Sequence, residues 1–193
     1  DRNAAGMTIW RFTFRSLLQH GHLYADPHPG NYRFLGGGKV GFLDFGCVKV
    51  LPPNLVASIK RYMRAALDED WHEFDRACVE ELGYDPEDET WDLYRGYTLE
   101  LLMPLTSHEP WVCSHEKARE TVSYLSRGIR KIAFKEGELP KLPKVPKMPQ
   151  DFTFVNRLQW GLASVMAGLG TIAHFRPVME PWVRGPVLPV PNV

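Results

Sequence analysis

The sequence predicts an α+β fold that is mostly α-helical and contains one small β-hairpin. Two observations lead to this prediction. Two segments rich in apolar residues, 32–35 and 39–43, flank the triple glycine at 36–38, a pattern typical of a hairpin. On both sides of the hairpin, apolar residues recur every three or four positions, as they do in amphipathic helices. With 193 residues, the chain is long enough to bury a stable core.

Composition argues against some classes of function. Lys plus Arg and Asp plus Glu both number 23, so the formal net charge is zero and gives no argument for a nucleic-acid partner. The cysteines are odd in number and far apart, which fits neither a disulfide framework nor a zinc site: Cys47, Cys78 and Cys113. No signal peptide opens the sequence, so we expect a cytoplasmic protein, with peripheral membrane contact left open.

The helices follow in order along the chain. The first, over 8–20, stops at Gly21 and places four apolar residues on one face: Trp10, Phe14, Leu17 and Leu18. After the hairpin, a helix to Leu67 begins with Asn54 as its cap and turns four residues inward: Leu55, Ile59, Tyr62 and Met63. Further helices are predicted over 71–82, 85–102 and 114–134. The last places four apolar residues on one face: Ala118, Val122, Leu125 and Ile129.

The segment 139–149 differs from its neighbours. Proline recurs every third residue with lysines between, which favours an extended polyproline II strap. Such a strap could offer a basic contact to anionic lipid or to a proline-reading partner. A structural strap along the protein surface is the interpretation we favour.

One helix is predicted over 152–175, with the glycines of 161, 168 and 170 allowing close packing. Its unbroken apolar stretch, 162–173, is about twelve residues long, and spanning a bilayer takes about twenty, so we predict a buried helix. The prolines that follow predict an extended tail: Pro177, Pro181, Pro186, Pro189 and Pro191.

The residues that point to chemistry lie within 26–46. In the loop 26–31, which reads Asp-Pro-His-Pro-Gly-Asn, the prolines prevent a helix, so Asp26 and Asn31 are presented on one tight turn. Asp44 follows the apolar run 40–43, at the end of the second predicted strand. Each residue alone could be a simple turn or strand-end residue, but together they supply the oxygen ligands that Mg²⁺ needs when it holds phosphates.

The spacing of these residues resembles that of protein kinases. There the catalytic Asp lies five residues before a metal-binding Asn, and an Asp-Phe-Gly motif follows. Here Asn31 lies five residues after Asp26, and Asp44 begins Asp-Phe-Gly thirteen residues after Asn31. The segment 24–31, Tyr-Ala-Asp-Pro-His-Pro-Gly-Asn, resembles the signature of the UbiB-like atypical kinases, also called aarF-domain or ADCK proteins. Tyr24 stands where most members of that family carry His, and Ala25 where many protein kinases carry a phosphate-binding Arg.

The resemblance implies a protein-kinase-like C-lobe whose hairpin region carries the catalytic loop, 24–31, and the metal motif, 44–46. Asp26 would be the catalytic base or orient the substrate. Asn31 and Asp44 would bind Mg²⁺, and with Phe45 and Gly46 they would form the side of the ATP site that this lobe contributes. The family also implies a link to isoprenoid quinone or lipid metabolism, with a small-molecule or lipid substrate.

The domain organisation that we expect follows from this resemblance. Residues 1–138 would be the C-lobe, 139–151 the Pro/Lys strap, and 152–193 the C-terminal helix and tail. A kinase also needs an N-lobe with a phosphate-binding lysine and a partner glutamate. Few residues precede the first helix, so we interpret the chain as the C-terminal half of a larger protein, inactive on its own and completed by its own N-lobe.

Two other functions remain open. Small-molecule phosphotransferases of the aminoglycoside or choline kinase type share a loop ending in His-Pro-Gly-Asn, although Asp-Phe-Gly favours the atypical kinases. A nucleotide-binding pseudokinase scaffold is the non-enzymatic alternative. His28 could be a ligand or a proton shuttle, but a lone loop histidine is more often structural. Cys47 directly follows Gly46 and offers a thiol for covalent labelling near the site.

Overall fold

The computed structural model describes residues 1–137 and 139–188 of the chain. It is a mostly helical α+β structure, which confirms the predicted fold class. The helices are α1 (Arg2–His20), α2 (Pro53–Leu67), α3 (Trp71–Leu82), α4 (Trp91–Thr106), α5 (His115–Ala133), α6 (Phe152–Leu169) and α7 (Arg176–Arg184). The strands are β1 (His22–Tyr24), β2 (Tyr32–Phe34), β3 (Val40–Phe42), β4 (Val48–Val50), β5 (Trp111–Val112) and β6 (Ile172–Ala173).

The strands form three antiparallel pairs: β1 with β4, β2 with β3, and β5 with β6. The predicted hairpin is the pair β2–β3, in which Tyr32 lies opposite Phe42. Its three turn glycines all have positive φ, a conformation that favours glycine. At the tip, a Cβ on Gly38 would lie 2.6 Å from the Cβ of Ala4, so the turn packs directly on α1. The turn is therefore a packing element.

One hydrophobic core connects the helices to the strands. Its most deeply buried side chains come from both ends of the chain: Ile9, Leu18, Leu23, Ile59, Phe74, Leu158, Leu162 and Phe175. The residues predicted to face inward from α2 are all buried there. The C-terminal helices are thus part of the same core as the candidate site.

The N-terminal ends of three helices differ from prediction. Helix α1 begins at Arg2 rather than at residue 8, because the Asp1 side chain accepts a hydrogen bond from the Ala4 amide. Asn54 does not cap α2, which begins with Pro53 and has no side-chain cap. Helix α4 begins at Trp91 and not at residue 85, and it ends at Thr106 instead of residue 102. The late start has a local cause: the Asp85 and Asp88 carboxylates accept amide hydrogen bonds two residues ahead and hold this segment in turns.

Helix α5 has the predicted position, with Ser114 as its cap, but its apolar face is not fully buried. Val122 is 48% exposed and Ile129 is 36% exposed. The helix lies over a cavity of about 500 Å³ whose lining includes Ala118, Val122 and Leu158. The predicted apolar face of α5 is therefore partly exposed and borders a cavity.

The prediction of one helix over 152–175, followed by an extended tail, is wrong. Helix α6 ends at Leu169, because Gly170 adopts φ +62° and closes the helix in the left-handed conformation. Strand β6 follows, and then α7, in which Met179 and Val183 are buried at helical spacing from the buried cap residue Phe175. Pro177 lies in the first turn of α7, where its missing amide costs no hydrogen bond. Pro189 and Pro191 lie outside the described residues.

Residues 139–149 form neither helix nor strand and lie along the loop that precedes α4. The Nζ atoms of Lys141 and Lys144 lie 2.6 Å from carboxylate oxygens of Glu89 and Asp85, respectively. Two of the three lysines of this segment therefore make ion pairs with the protein's own surface. None of the helices among the described residues combines the length and apolar character needed to cross a bilayer.

Candidate functional site

The loop that follows β1 carries the first two predicted site residues. Strand β1 pairs with β4, and the Ala25 amide extends this pairing by donating to the Cys47 carbonyl at 2.9 Å. The chain then leaves the strand at Asp26, and Pro29–Asn31 forms a single 3-10 turn. The prolines set this path because they cannot continue a strand ladder or a helix interior. The loop thus starts from a fixed strand end and turns sharply back.

Asp26 and Asn31 are joined directly by this turn. The Asn31 amide nitrogen, Nδ2, donates to the carboxylate Oδ2 of Asp26 at 3.0 Å and to its backbone carbonyl, also at 3.0 Å. Because Nδ2 is the donor, Oδ1 of Asn31 keeps its lone pairs for another ligand. The five-residue spacing therefore places the two predicted groups in contact.

The β2–β3 hairpin brings the third predicted residue to the same place. The Leu43 amide donates to the Asn31 carbonyl at 3.0 Å. Asp44 is the next residue after Leu43, so this backbone hydrogen bond ties its position to that of Asn31. The Asp44 Oδ1 atom accepts a hydrogen bond from the Gly46 amide at 2.7 Å. A Cβ on Gly46 would lie 3.0 Å from that oxygen, so a larger residue here would press on the Asp44 carboxylate. The Phe45 ring contacts Tyr24 and Phe12, with ring centroids 6.1 and 6.3 Å apart.

The Tyr24 side chain shows how close these groups are to one another. Its hydroxyl is buried and makes no hydrogen bond of good geometry within the described part of the chain. Burial raises the pKa of Tyr24; the Asn31 amide acts against this shift, and the negative charges of Asp26 and Asp44 add to it. All three predicted residues therefore influence the pKa of this one hydroxyl group. Their roles in catalysis stay a prediction.

Arg157 of α6 also contacts this site, and the sequence did not indicate it. Its Nη2 atom donates to the Asp26 Oδ1 at 2.8 Å, so the two oxygens of Asp26 are held by Arg157 and Asn31, respectively. Two hydrogen bonds, the larger effect coming from Arg157 and the smaller from Asn31, lower the pKa of Asp26 and keep its carboxylate ionised. Gly161, one turn further along α6, was a sequence signal for close helix packing. It points to this contact only once α6 is known to lie on the loop.

His28 and Cys47 have structural contacts in this arrangement. The His28 ring accepts a hydrogen bond from the Gly30 amide at 3.1 Å, through Nδ1, and so stabilises the turn. Cys47 is half-buried and its thiol forms no disulfide. Its backbone carbonyl accepts the hydrogen bond from Ala25 that extends the β1–β4 pairing.

The residues present fit a magnesium–nucleotide site better than a metal site built from protein alone. Within residues 1–137 and 139–188, no group of three or more His, Cys, Asp or Glu side chains is arranged to hold a metal. Mg²⁺ usually takes one or two protein carboxylates and completes its shell with substrate phosphates and water. The Asp44 carboxylate and Oδ1 of Asn31 would supply such a partial shell.

Comparison with known proteins confirms the resemblance to the atypical kinases. Residues 1–78 match the family described as the ABC1 atypical kinase-like domain. Protein ACTIVITY OF BC1 COMPLEX KINASE 3, chloroplastic, from Arabidopsis thaliana is 48% identical over 40 residues, which are 21% of this chain and 6% of that protein. An uncharacterized aarF domain-containing chloroplastic protein kinase of the same plant is 31% identical over 74 residues, covering 38% of this chain and 13% of its own length. The matches thus span only a small part of these relatives.

A solved structure shares the fold over nearly the whole chain. This is Rv3197 from Mycobacterium tuberculosis, in a structure described as its complex with erythromycin. The TM-score is 0.67 at 15% sequence identity, with 93% of this chain and 42% of that chain covered. At this identity the likeness shows the fold alone. The family match covers residues 1–78, less than half of the chain, and includes Asp26, Asn31 and Asp44; over these residues the chain is similar to the ABC1 atypical kinase-like domain.

Proposed function

We propose that this chain forms the catalytic lobe of an atypical kinase or ATPase that binds ATP with Mg²⁺ and transfers or hydrolyses its terminal phosphate. The observation that carries the proposal is the convergence of Asp26, Asn31 and Asp44, through the Asn31–Asp26 hydrogen bonds and the Leu43–Asn31 backbone bond. The match of residues 1–78 to the ABC1 atypical kinase-like domain supports it.

Each residue would have a distinct task. Asn31 and Asp44 would hold Mg²⁺, which when bound neutralises charge on the phosphates. Asp26 would orient the attacking hydroxyl or water, because its carboxylate is ionised and fixed by two donors. Phe45 and Gly46 would hold Asp44 in place, through ring contacts and the Gly46 amide. Catalysis would rest on positioning and charge stabilisation.

The proposal includes an N-lobe that supplies the remaining ATP contacts. It also includes an acceptor from isoprenoid quinone or lipid metabolism, for which family resemblance is the support. A screen of small-molecule, phenolic and lipid acceptors with the complete gene product tests this part. Preferred phosphorylation of an aminoglycoside or an amino alcohol would favour the phosphotransferase alternative instead.

The metal assignment is tested by Asp44→Asn in the complete gene product. The amide keeps the size of the side chain but removes its charge, so Mg²⁺-dependent nucleotide binding and turnover should fall by about a hundredfold or more. Isothermal titration with Mg·ATP and a phosphate-release assay measure the two effects.

Asp70→Asn is a suitable control, because Asp70 caps α3 outside the site. It should reduce stability slightly and leave turnover unchanged. Wild-type turnover in the Asp44→Asn variant would refute the role of Asp44.

A further inference from the structure

The contact between α6 and the loop that carries Asp26 is built from several points. A Cβ on Gly161 would lie 2.6 Å from Cγ of Pro27 and 3.1 Å from its carbonyl oxygen, so glycine lets the helix approach the loop backbone. At the start of the helix, Asp151 pairs with Lys49 of β4 at 3.2 Å. The opposite side of α6 is anchored in the core by Val155, Leu158 and Leu162. The helix therefore packs directly against the loop.

Arg157 projects from this face, one turn before Gly161. Its guanidinium reaches the Asp26 carboxylate across 131 positions of sequence and binds the oxygen that Asn31 does not bind. Two donors on two different oxygens fix both the position and the rotation of a carboxylate plane. A donor on a packed helix restricts Asp26 more than a donor on the loop itself would.

We infer that Arg157 is a positioning residue, which acts through Asp26 and aligns its carboxylate for the attacking group. The inference rests on the proposed function. It assigns to α6, which lies outside the family-matched residues 1–78, a part in the reaction.

The test compares Arg157→Met, Asp26→Asn and the double variant in the complete gene product. Misplacing a catalytic group by about 1 Å can cost about a hundredfold, so Arg157→Met should lower kcat by about tenfold to a hundredfold. Its KM for Mg·ATP should change by less than about twofold, because Arg157 touches neither Asn31 nor Asp44 among the described contacts. Arg157→Lys, which keeps the charge and one donor, should recover part of the loss.

The double variant decides whether Arg157 acts through Asp26. If it does, Asp26→Asn combined with Arg157→Met should be no slower than Asp26→Asn alone, within about twofold. Multiplicative losses would show that Arg157 acts elsewhere and would overturn the inference. So would a wild-type kcat in Arg157→Met.

Lys49→Met is the matched control, since it breaks the ion pair with Asp151 at the start of α6 and leaves Arg157 in place. A kcat loss in Lys49→Met equal to that of Arg157→Met would show that Arg157 has only a structural role.

The two proposals fail differently: a wild-type protein without Mg²⁺-dependent turnover removes the proposed function and the inference together. An active wild type with unaffected Arg157→Met removes only the inference.

Discussion

At the scale of single residues, the candidate site combines one contact that spacing could predict with one that it could not. The distance of five positions between Asp26 and Asn31 is short, and the prolines between them leave few paths for the chain. Their hydrogen bond was therefore within reach of sequence reasoning. Arg157 lies 131 positions from Asp26, and its role depends on how α6 packs, which no local pattern specifies.

The three cysteines give a prediction at the same scale. Burial raises the pKa of Cys78 to about 12 and that of Cys113 to about 11. Thiolate is the reactive form, so at pH 8 only about one in a thousand Cys113 side chains would be reactive. Cys47 is half-buried beside Gly46. We expect iodoacetamide at pH 8 to modify Cys47 first and to leave Cys78 intact until the protein unfolds.

Peptide mapping by mass spectrometry measures the three rates. The rate at Cys113 should rise with pH up to about 11, because deprotonation increases over that whole range. Mg·ATP should slow labelling of Cys47, which directly follows the predicted nucleotide-binding residues. Modification of Cys78 in the native protein as fast as that of Cys47 would contradict the burial described above.

At the scale of secondary structure, α6 was predicted as a buried C-terminal helix and is in addition the helix that holds the candidate catalytic loop. Its core-facing residues follow helical periodicity and could be predicted, whereas its C-terminal end could not. Of the glycines at 161, 168 and 170, only Gly170 adopts positive φ and ends the helix. Sequence pattern alone does not rank these three glycines.

Two of these glycines make a matched pair for mutation. A Cβ at Gly161 would clash with Pro27, including its backbone, whereas at Gly168 it would meet nothing within 4 Å. Gly161→Ala should therefore lower the free energy of unfolding by about 1 to 3 kcal/mol through overpacking. Gly168→Ala should raise it by about 0.5 to 1 kcal/mol, because alanine restricts the unfolded chain and favours helix.

Urea unfolding followed by circular dichroism measures both changes. The Gly161→Ala variant should also lose turnover, because the added methyl group pushes α6 off the loop and moves Arg157 away from Asp26. Gly168→Ala should keep turnover. Equal stability of the two variants would show that α6 does not lie close against the loop.

At the scale of the whole molecule, the sequence specified the fold class and the order of most elements, because amphipathic periods and glycine stops are local signals. The elements that were missed depend on distant partners. Strand β4 is short and forms its pair with β1, on the other side of the hairpin. Strands β5 and β6 have two residues each and form only by pairing with each other, with Trp111 opposite Ala173, 62 positions further along the chain.

The same dependence on distant contacts explains the tail. Helix α7 contains two prolines, which read locally as an extended segment. Its buried face packs on the core, and Arg176 donates to the carbonyls of Leu67 and Thr106 at 2.9 and 3.0 Å, closing the last turns of α2 and α4. These tertiary bonds outweigh the local preference of the prolines.

The central claim is that Asp26, Asn31 and Asp44 serve one magnesium–nucleotide site. The most direct test is a crystal structure of the complete gene product with Mn²⁺ in place of Mg²⁺ and a non-hydrolysable ATP analogue. An anomalous difference map then locates the manganese. We predict a manganese peak about 2.1 to 2.3 Å from both Oδ1 of Asn31 and the Asp44 carboxylate, with Asp26 facing the terminal phosphate. A metal and nucleotide bound elsewhere, or Asn31 and Asp44 pointing away from the same ion, would contradict the claim.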